Sequence, residues 1–185
     1  ISLMYINVQG FVKFYGLTSK SPTFYINKLL AFQSYIFDNK PGVVVVNESW
    51  LSKGIKDSEI FPNGSYKVFR LDRSLDTHLY DPNNPKKYRK NGGGVIIAVR
   101  SDLDVQSRII KVKCKAEILS VLLKFSDGKS MCITTLYRVS NLEENNYEEV
   151  NSYLNKISCM KSVNKHILVG DINLGNTTWP EGISS

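Results

Sequence analysis

The sequence has no long apolar run. Its longest, such as Val43–Val46 and Val95–Val99, stop after a handful of residues, far short of the roughly 20 that carry a helix across a bilayer, so no membrane span is encoded. Cysteine is scarce: Cys114, Cys132 and Cys159 are an odd number and form no Cys-x-x-Cys pair. That excludes a disulfide framework and a cysteine zinc site, and predicts buried free thiols in a reducing compartment. The two histidines, His78 in a Tyr/Asp/Pro-rich stretch and His166 at the head of an apolar run, read as ordinary surface or core imidazoles. Internal repeats, low-complexity tracts and long linkers are missing too. The chain starts at Ile1 without an initiator Met or the basic, apolar and small-residue series of a signal peptide, and so reads as an excised piece of something longer.

What is present suits one domain over residues 1–185, because 42% hydrophobic and 11% aromatic residues are enough for a single sizeable core. Charge is unevenly distributed. Residues 1–60 carry six basic and four acidic side chains (+2), residues 61–115 twelve and five (+7), and residues 116–185 six and eight (−2). A segregated basic field is what a polyanion-binding face requires, since each phosphate neutralised releases condensed counterions; a solubilising surface has the same composition.

Periodicity predicts strands at Ser2–Val8, Val43–Val46, Tyr66–Arg70, Gly94–Arg100, Ile118–Phe125, Ser130–Tyr137 and His166–Val169. The four consecutive valines mark a strand buried on both faces. Ser21 and Pro22 open a helix that carries Ile26, Leu29, Leu30, Ile36 and Phe37 at helical spacing to about Asn39, where Pro41-Gly42 stops it. A second helix runs from about Glu143 to Met160, with Tyr147, Val150, Leu154 and Ile157 on one face. Ser126-Asp127-Gly128-Lys129 predicts a tight primed hairpin turn. Hairpin-linked strands with a few helices give an α/β fold, a four-layer sandwich of two mostly antiparallel sheets face to face with helices outside.

Polar residues fall at the ends of the apolar strands. Asn7 closes the first, Glu48 follows the second, Tyr137 closes the second arm of the hairpin, and Asp171 and Asn173 follow the last. Carboxylates held at the lip of a sheet suit a hard cation such as Mg²⁺, which takes only one or two of them and keeps most of its waters. Taken singly, Asn7, Asp171 and Asn173 read as turn or cap residues, and Tyr137 as half-buried core. Glu48 differs: it follows four valines with no turn composition, so a purely structural role needs a nearby cation.

Asn7-Val8-Gln9-Gly10, Val46-Asn47-Glu48-Ser49-Trp50-Leu51, Gly92-Gly93-Gly94-Val95, Leu136-Tyr137-Arg138 and Gly170-Asp171-Ile172-Asn173-Leu174, in that order, resemble the endonuclease domain of non-LTR (LINE-like) retrotransposons. That family lies within the endonuclease/exonuclease/phosphatase superfamily, with apurinic endonucleases and pancreatic deoxyribonuclease. The resemblance extends from Ile1 to about Trp179. It implies that Glu48, supported by Asn7, holds Mg²⁺ or Mn²⁺, that Tyr137 hydrogen-bonds a nonbridging phosphate oxygen, that Asp171 orients or activates the attacking water, and that Asn173 steadies the phosphoryl group. It further implies double-stranded DNA as substrate and a nick with a 3′-hydroxyl, which primes a reverse transcriptase domain of the same polyprotein. The place of action it implies is the nucleus, after a cytoplasmic ribonucleoprotein stage.

The sequence also departs from the family pattern. Two later motifs, one with an aspartate in a buried strand and one Ser-Asp-His, have no counterpart after Asn173, so the chain is expected to be C-terminally incomplete and impaired as a nuclease. Val139 and Ser140 stand before Asn141 where the family often shows two prolines. Lys86, Lys87, Arg89 and Lys90, with Tyr80 before them and Tyr88 among them, are candidates to track a DNA backbone and stack a base, together with Arg138; a solvated basic loop has the same composition. Two other functions fit the residues: a noncatalytic DNA-binding remnant of such a domain, and a phosphatase of the same superfamily acting on a small phosphoester.

Overall fold

Side chains of an extended strand point alternately to its two faces, and Val43–Val46 uses both. Val43 and Val45 face one apolar layer, Val44 and Val46 another, all at 0% exposure. They belong to β2 (Val43–Asn47), which lies inside a sheet ordered β1-β2-β4-β3 with β1 (Leu3–Asn7), β3 (Tyr66–Leu71) and β4 (Val95–Arg100). A second sheet is ordered β5-β6-β7-β8, from β5 (Val105–Ile109), β6 (Glu117–Phe125), β7 (Ser130–Tyr137) and β8 (Lys165–Asp171). Each sheet holds one parallel pair, β1 with β2 and β7 with β8, and is otherwise antiparallel. This computed structural model describes residues 1–11, 22–74, 92–138 and 145–172, with side chains from residue 26 in the first helix and from residue 148 in the last.

Parallel neighbours need a crossover, and a helix supplies it in each sheet. Between β1 and β2 runs α1 (Pro22–Asn39), whose Phe32 and Ile36 pack on Val44, Val46, Ile96 and Ala98. After β2 come the short α2 (Asp57–Ile60) and a 3₁₀ turn at Pro62–Gly64. Between β7 and β8 runs α3 (Asn145–Ser158), whose Val150, Tyr153 and Ile157 pack on Ile118, Cys132 and Leu136. The sheets meet through Val43, Val45, Val95 and Ile97 on one side and Val121, Leu123 and Ile133 on the other. The result is helix, sheet, sheet, helix: the four-layer sandwich expected from the sequence.

Four details differ from expectation. In α1, Ile26, Leu30 and Phe37 are 58%, 57% and 73% exposed. The helix carries two apolar stripes, and the one that wins holds Phe32, whose ring packs on Phe11 and Phe61 at 4.8 and 5.6 Å between centroids. Next, β5 was not anticipated, because Gln106, Ser107 and Arg108 show no apolar alternation and the strand is held by β6 alone. In the hairpin only Gly128 takes a positive φ (81°), and its N–H bonds the Phe125 carbonyl at 3.0 Å. This is a glycine-bulge turn, not the two-residue primed turn. Lastly, the thiols are free as expected, but only Cys132 is buried; Cys159 is exposed.

Candidate active site

In both parallel pairs the strands end together: Asn7 lies opposite Asn47, and Tyr137 opposite Asp171. The sheets are stacked so that β1 and β8 approach each other, as do β2 and β7. The polar residues that close these strands are therefore gathered at one end of the sandwich, at the carboxyl ends of four strands. Asn7 is the link. Its Nδ2 donates to Glu48 Oε1 at 2.9 Å and to Asp171 Oδ2 at 3.0 Å, joining residues 41 and 164 positions away. Its Oδ1 accepts from the Gln9 N–H at 3.1 Å, which fixes the amide with its nitrogen, not its oxygen, toward the carboxylates.

Backbone strain sets the direction of Glu48. Gln9, Glu48 and Trp50 all have positive φ (47°, 55° and 54°), a conformation that costs a non-glycine residue on the order of 1 kcal/mol or more and persists only when the surroundings impose it. Here the surroundings do. Gly10 N–H donates to the Glu48 carbonyl at 2.7 Å, Phe11 N–H to that of Ser49 at 3.0 Å, Ser49 N–H to that of Gly94 at 3.2 Å, and Trp50 N–H to that of Gly93 at 2.9 Å. Lys28 of α1 donates to the Val8 and Gly10 carbonyls at 2.6 and 3.1 Å and so holds the turn after Asn7 from outside. The Trp50 indole N–H points at Glu48 Oε2, 3.4 Å away.

Beneath the carboxylates, Asn47 ties the two sheets together. It is fully buried, accepts from Thr135 Oγ1 at 2.7 Å and donates to the Leu136 carbonyl at 2.9 Å. Tyr5, whose hydroxyl lies 3.5 Å from Asn47 Nδ2, and Tyr137 complete the polar end. Burial, then the charges of Asp171 and Glu48, raise the Tyr5 phenol above its ordinary value. Tyr137 is pushed up much further, by burial first and then by Glu48, with Glu117 and Asp171 adding to the effect and Arg73 opposing it. Both phenols are thereby kept protonated, as hydrogen-bond donors.

Among the described residues neither Glu48 nor Asp171 is in a direct ion pair, although the charge of Glu48 acts on the Arg73 guanidinium. Nor do the described residues form any cluster of three or more His, Cys, Asp or Glu. Two carboxylates joined by one amide suit a hard divalent ion that keeps most of its water. The donor set fits Mg²⁺ or Mn²⁺.

Of the residues expected at the site, Asn7, Glu48, Tyr137 and Asp171 come together. Asn173, and Lys86, Lys87, Arg89 and Lys90, lie outside the described residues, as do His78 and Asn141. Arg138 is 8% exposed, and its backbone N–H donates to the Asp171 carbonyl at 2.9 Å. His166 is exposed, the second residue of β8 and at the opposite end of that strand from Asp171. Sequence reasoning missed Tyr5, Asn47 and Thr135. The one available signal was a polar Asn47 completing a run of four valines.

No family model matches the sequence, and none of the curated proteins does. Solved structures do resemble it in fold. The AP endonuclease LMAP from Leishmania major aligns over 92% of this chain and 54% of its own, with 12% identity and a TM-score of 0.62. The endonuclease domain of TRAS1, a telomere-specific non-LTR retrotransposon, aligns over 92% of this chain and 58% of its own, with 15% identity and a TM-score of 0.52. TDP2 of D. rerio, complexed with a single-strand DNA product, aligns over 94% of this chain and 61% of its own, with 19% identity and a TM-score of 0.56. This chain thus spans 54 to 61% of the length of these three proteins.

Proposed function

We propose that the chain is the divalent-metal-dependent endonuclease domain of a non-LTR retrotransposon, hydrolysing a phosphodiester of double-stranded DNA to leave a 3′-hydroxyl from which a reverse transcriptase of the same polyprotein extends. The observation that carries this reading is the Asn7 amide holding Glu48 and Asp171 together at the carboxyl ends of strands from both sheets. The motif order in the sequence and the shared fold with a retrotransposon endonuclease domain support it.

Glu48, held by Asn7, is the residue to bind the cation, with Asp171 on the other side of the same amide. A bound divalent ion supplies charge neutralisation at the phosphoryl group and the leaving oxygen. The chain's own residues do the rest. Asp171 accepts a hydrogen bond from the attacking water and aligns it. Tyr137, kept as a phenol by burial and by the nearby carboxylates, donates to a nonbridging oxygen, a contact that strengthens as charge builds there. Asn173 steadies the same group from the segment after β8.

The test uses supercoiled plasmid and Mn²⁺ titration. Mg²⁺-dependent nicking by this chain, expected to be weak, should be abolished by Glu48→Ala and by Asp171→Asn, and Glu48→Ala should abolish Mn²⁺ binding measured by calorimetry. Nicking that survives Glu48→Ala, or that persists in EDTA, sinks the proposal. A second reading, a DNA-binding module without catalysis, is favoured by one observation: no histidine among the described residues stands at the site to serve as general acid or base. It predicts Mn²⁺ and DNA binding with no nicked product.

A further inference from the structure

Beside the carboxylates lies a buried ion pair that the proposed chemistry does not use. The Arg73 and Glu117 side chains are 4% and 2% exposed. Arg73 Nε lies 2.5 Å from Glu117 Oε1 and a terminal guanidinium nitrogen 3.1 Å from Oε2, a two-pronged contact. Burying two charges is costly, and an apolar pair of similar volume commonly serves stability as well or better, so stability alone is a weak account of this one.

Its surroundings give a better account. Glu117 opens β6 directly opposite Tyr137, and its carboxylate also accepts a backbone hydrogen bond from Gly94. Gly93 has φ 57°, and a Cβ there would collide with both the Glu117 carboxylate and the Arg73 guanidinium; only glycine lets the backbone come so close. The carbonyls of Gly93 and Gly94 are the acceptors for Trp50 N–H and Ser49 N–H, the two residues that follow Glu48. On its other side Arg73 lies 5.8 Å from the centre of the Tyr137 ring, within range of a cation–π contact.

We infer that Arg73 and Glu117 are positioning residues, a buried clamp that sets the glycine backbone at 93 and 94, through it the strained turn carrying Glu48, and at the same time the ring of Tyr137. Neither touches substrate or cation. The inference rests on the proposed metal site, and partners of this kind typically alter metal affinity about 10- to 100-fold when removed.

The experiment separates positioning from packing. In Arg73→Met/Glu117→Leu the charges give way to apolar groups, and the melting temperature should stay near that of the unaltered protein. Amide exchange at Ser49, Trp50 and Gly94, followed by NMR, should nevertheless accelerate about tenfold or more, and the Mn²⁺ Kd should rise about tenfold. Unchanged exchange at these amides, or an unchanged Kd, overturns the clamp. Should the double variant fail to fold, Glu117→Gln keeps the shape and drops the charge, and must move both readouts in the same direction. Glu48→Ala is the control: if it binds Mn²⁺ as the unaltered protein does, the metal reading falls, and the exchange rates alone then decide the clamp.

Discussion

At the scale of single residues, two side chains make separable predictions. Ser49 is fully buried and, among the described residues, its Oγ has no hydrogen-bond partner. An unsatisfied buried hydroxyl costs about 1 kcal/mol or more, so Ser49→Ala should stabilise the protein by about that amount in urea unfolding; a loss of stability would reveal a partner for that hydroxyl. Tyr137 tests electrostatics. Its phenol is raised by burial and then by Glu48, so the folded protein keeps a proton that the unfolded chain releases near pH 10. The folded state therefore binds more protons above that pH, and stability falls as pH rises. Tyr137→Phe should make the alkaline decline shallower by one proton, and should lower nicking by about 100-fold while leaving Mn²⁺ affinity unchanged. An identical alkaline slope would place the phenol in water.

At the scale of elements, Gly170 is the sensitive point. It faces Leu136 in the β7–β8 pair, and a Cβ would run into the Leu136 carbonyl and amide. Gly170→Ala should cost about 1–3 kcal/mol and, by parting the strands next to Tyr137 and Asp171, weaken nicking more than an equally destabilising change elsewhere. In α1, Phe32→Ala should cost about 3–5 kcal/mol, whereas Phe37→Ala should stay within about 0.5 kcal/mol; thermal melts of the pair check which stripe is buried. Such contrasts show what the sequence disclosed. Runs like Val43–Val46 announce their own strand, because burial on both faces leaves no polar position. By contrast, α1 has two apolar stripes and no local rule for choosing between them, and β5 exists only because β6 pairs with it. The acids at strand ends were visible as a pattern; their convergence was expected only through the family resemblance, since no local rule brings Asn7 and Asp171 together before two sheets stack. Arg73 and Glu117 lie 44 residues apart with no motif around either, and a pair of that kind has no signature before folding.

At the scale of the whole molecule, the described part of the basic middle third includes β3 and β5, the edge strands that Lys67 bridges by donating to the Ser107 carbonyl at 2.7 Å. Arg70, Arg73 and Arg100 are spent on Asp57, Asp72, Glu117 and Asp102. Beyond β5, Lys111, Lys113 and Lys115 are exposed while Val112 and Cys114 between them turn inward. DNA affinity should therefore fall steeply with salt, with a log–log slope that shrinks by about one for each phosphate contact removed. Filter binding in EDTA with Lys86, Lys87, Arg89 and Lys90 neutralised, and separately with Lys111, Lys113 and Lys115 neutralised, assigns the contacts; a slope unmoved by either set excludes that set. The span of the Asn7 bridge has one more consequence, for synthesis. With 164 positions between its two ends, a ribosome must deliver β8 before the Asn7 amide has its second carboxylate. A nascent or prematurely terminated chain ending short of that strand lacks the second carboxylate of the bridge, so the three-residue cluster assembles only once translation has passed residue 171.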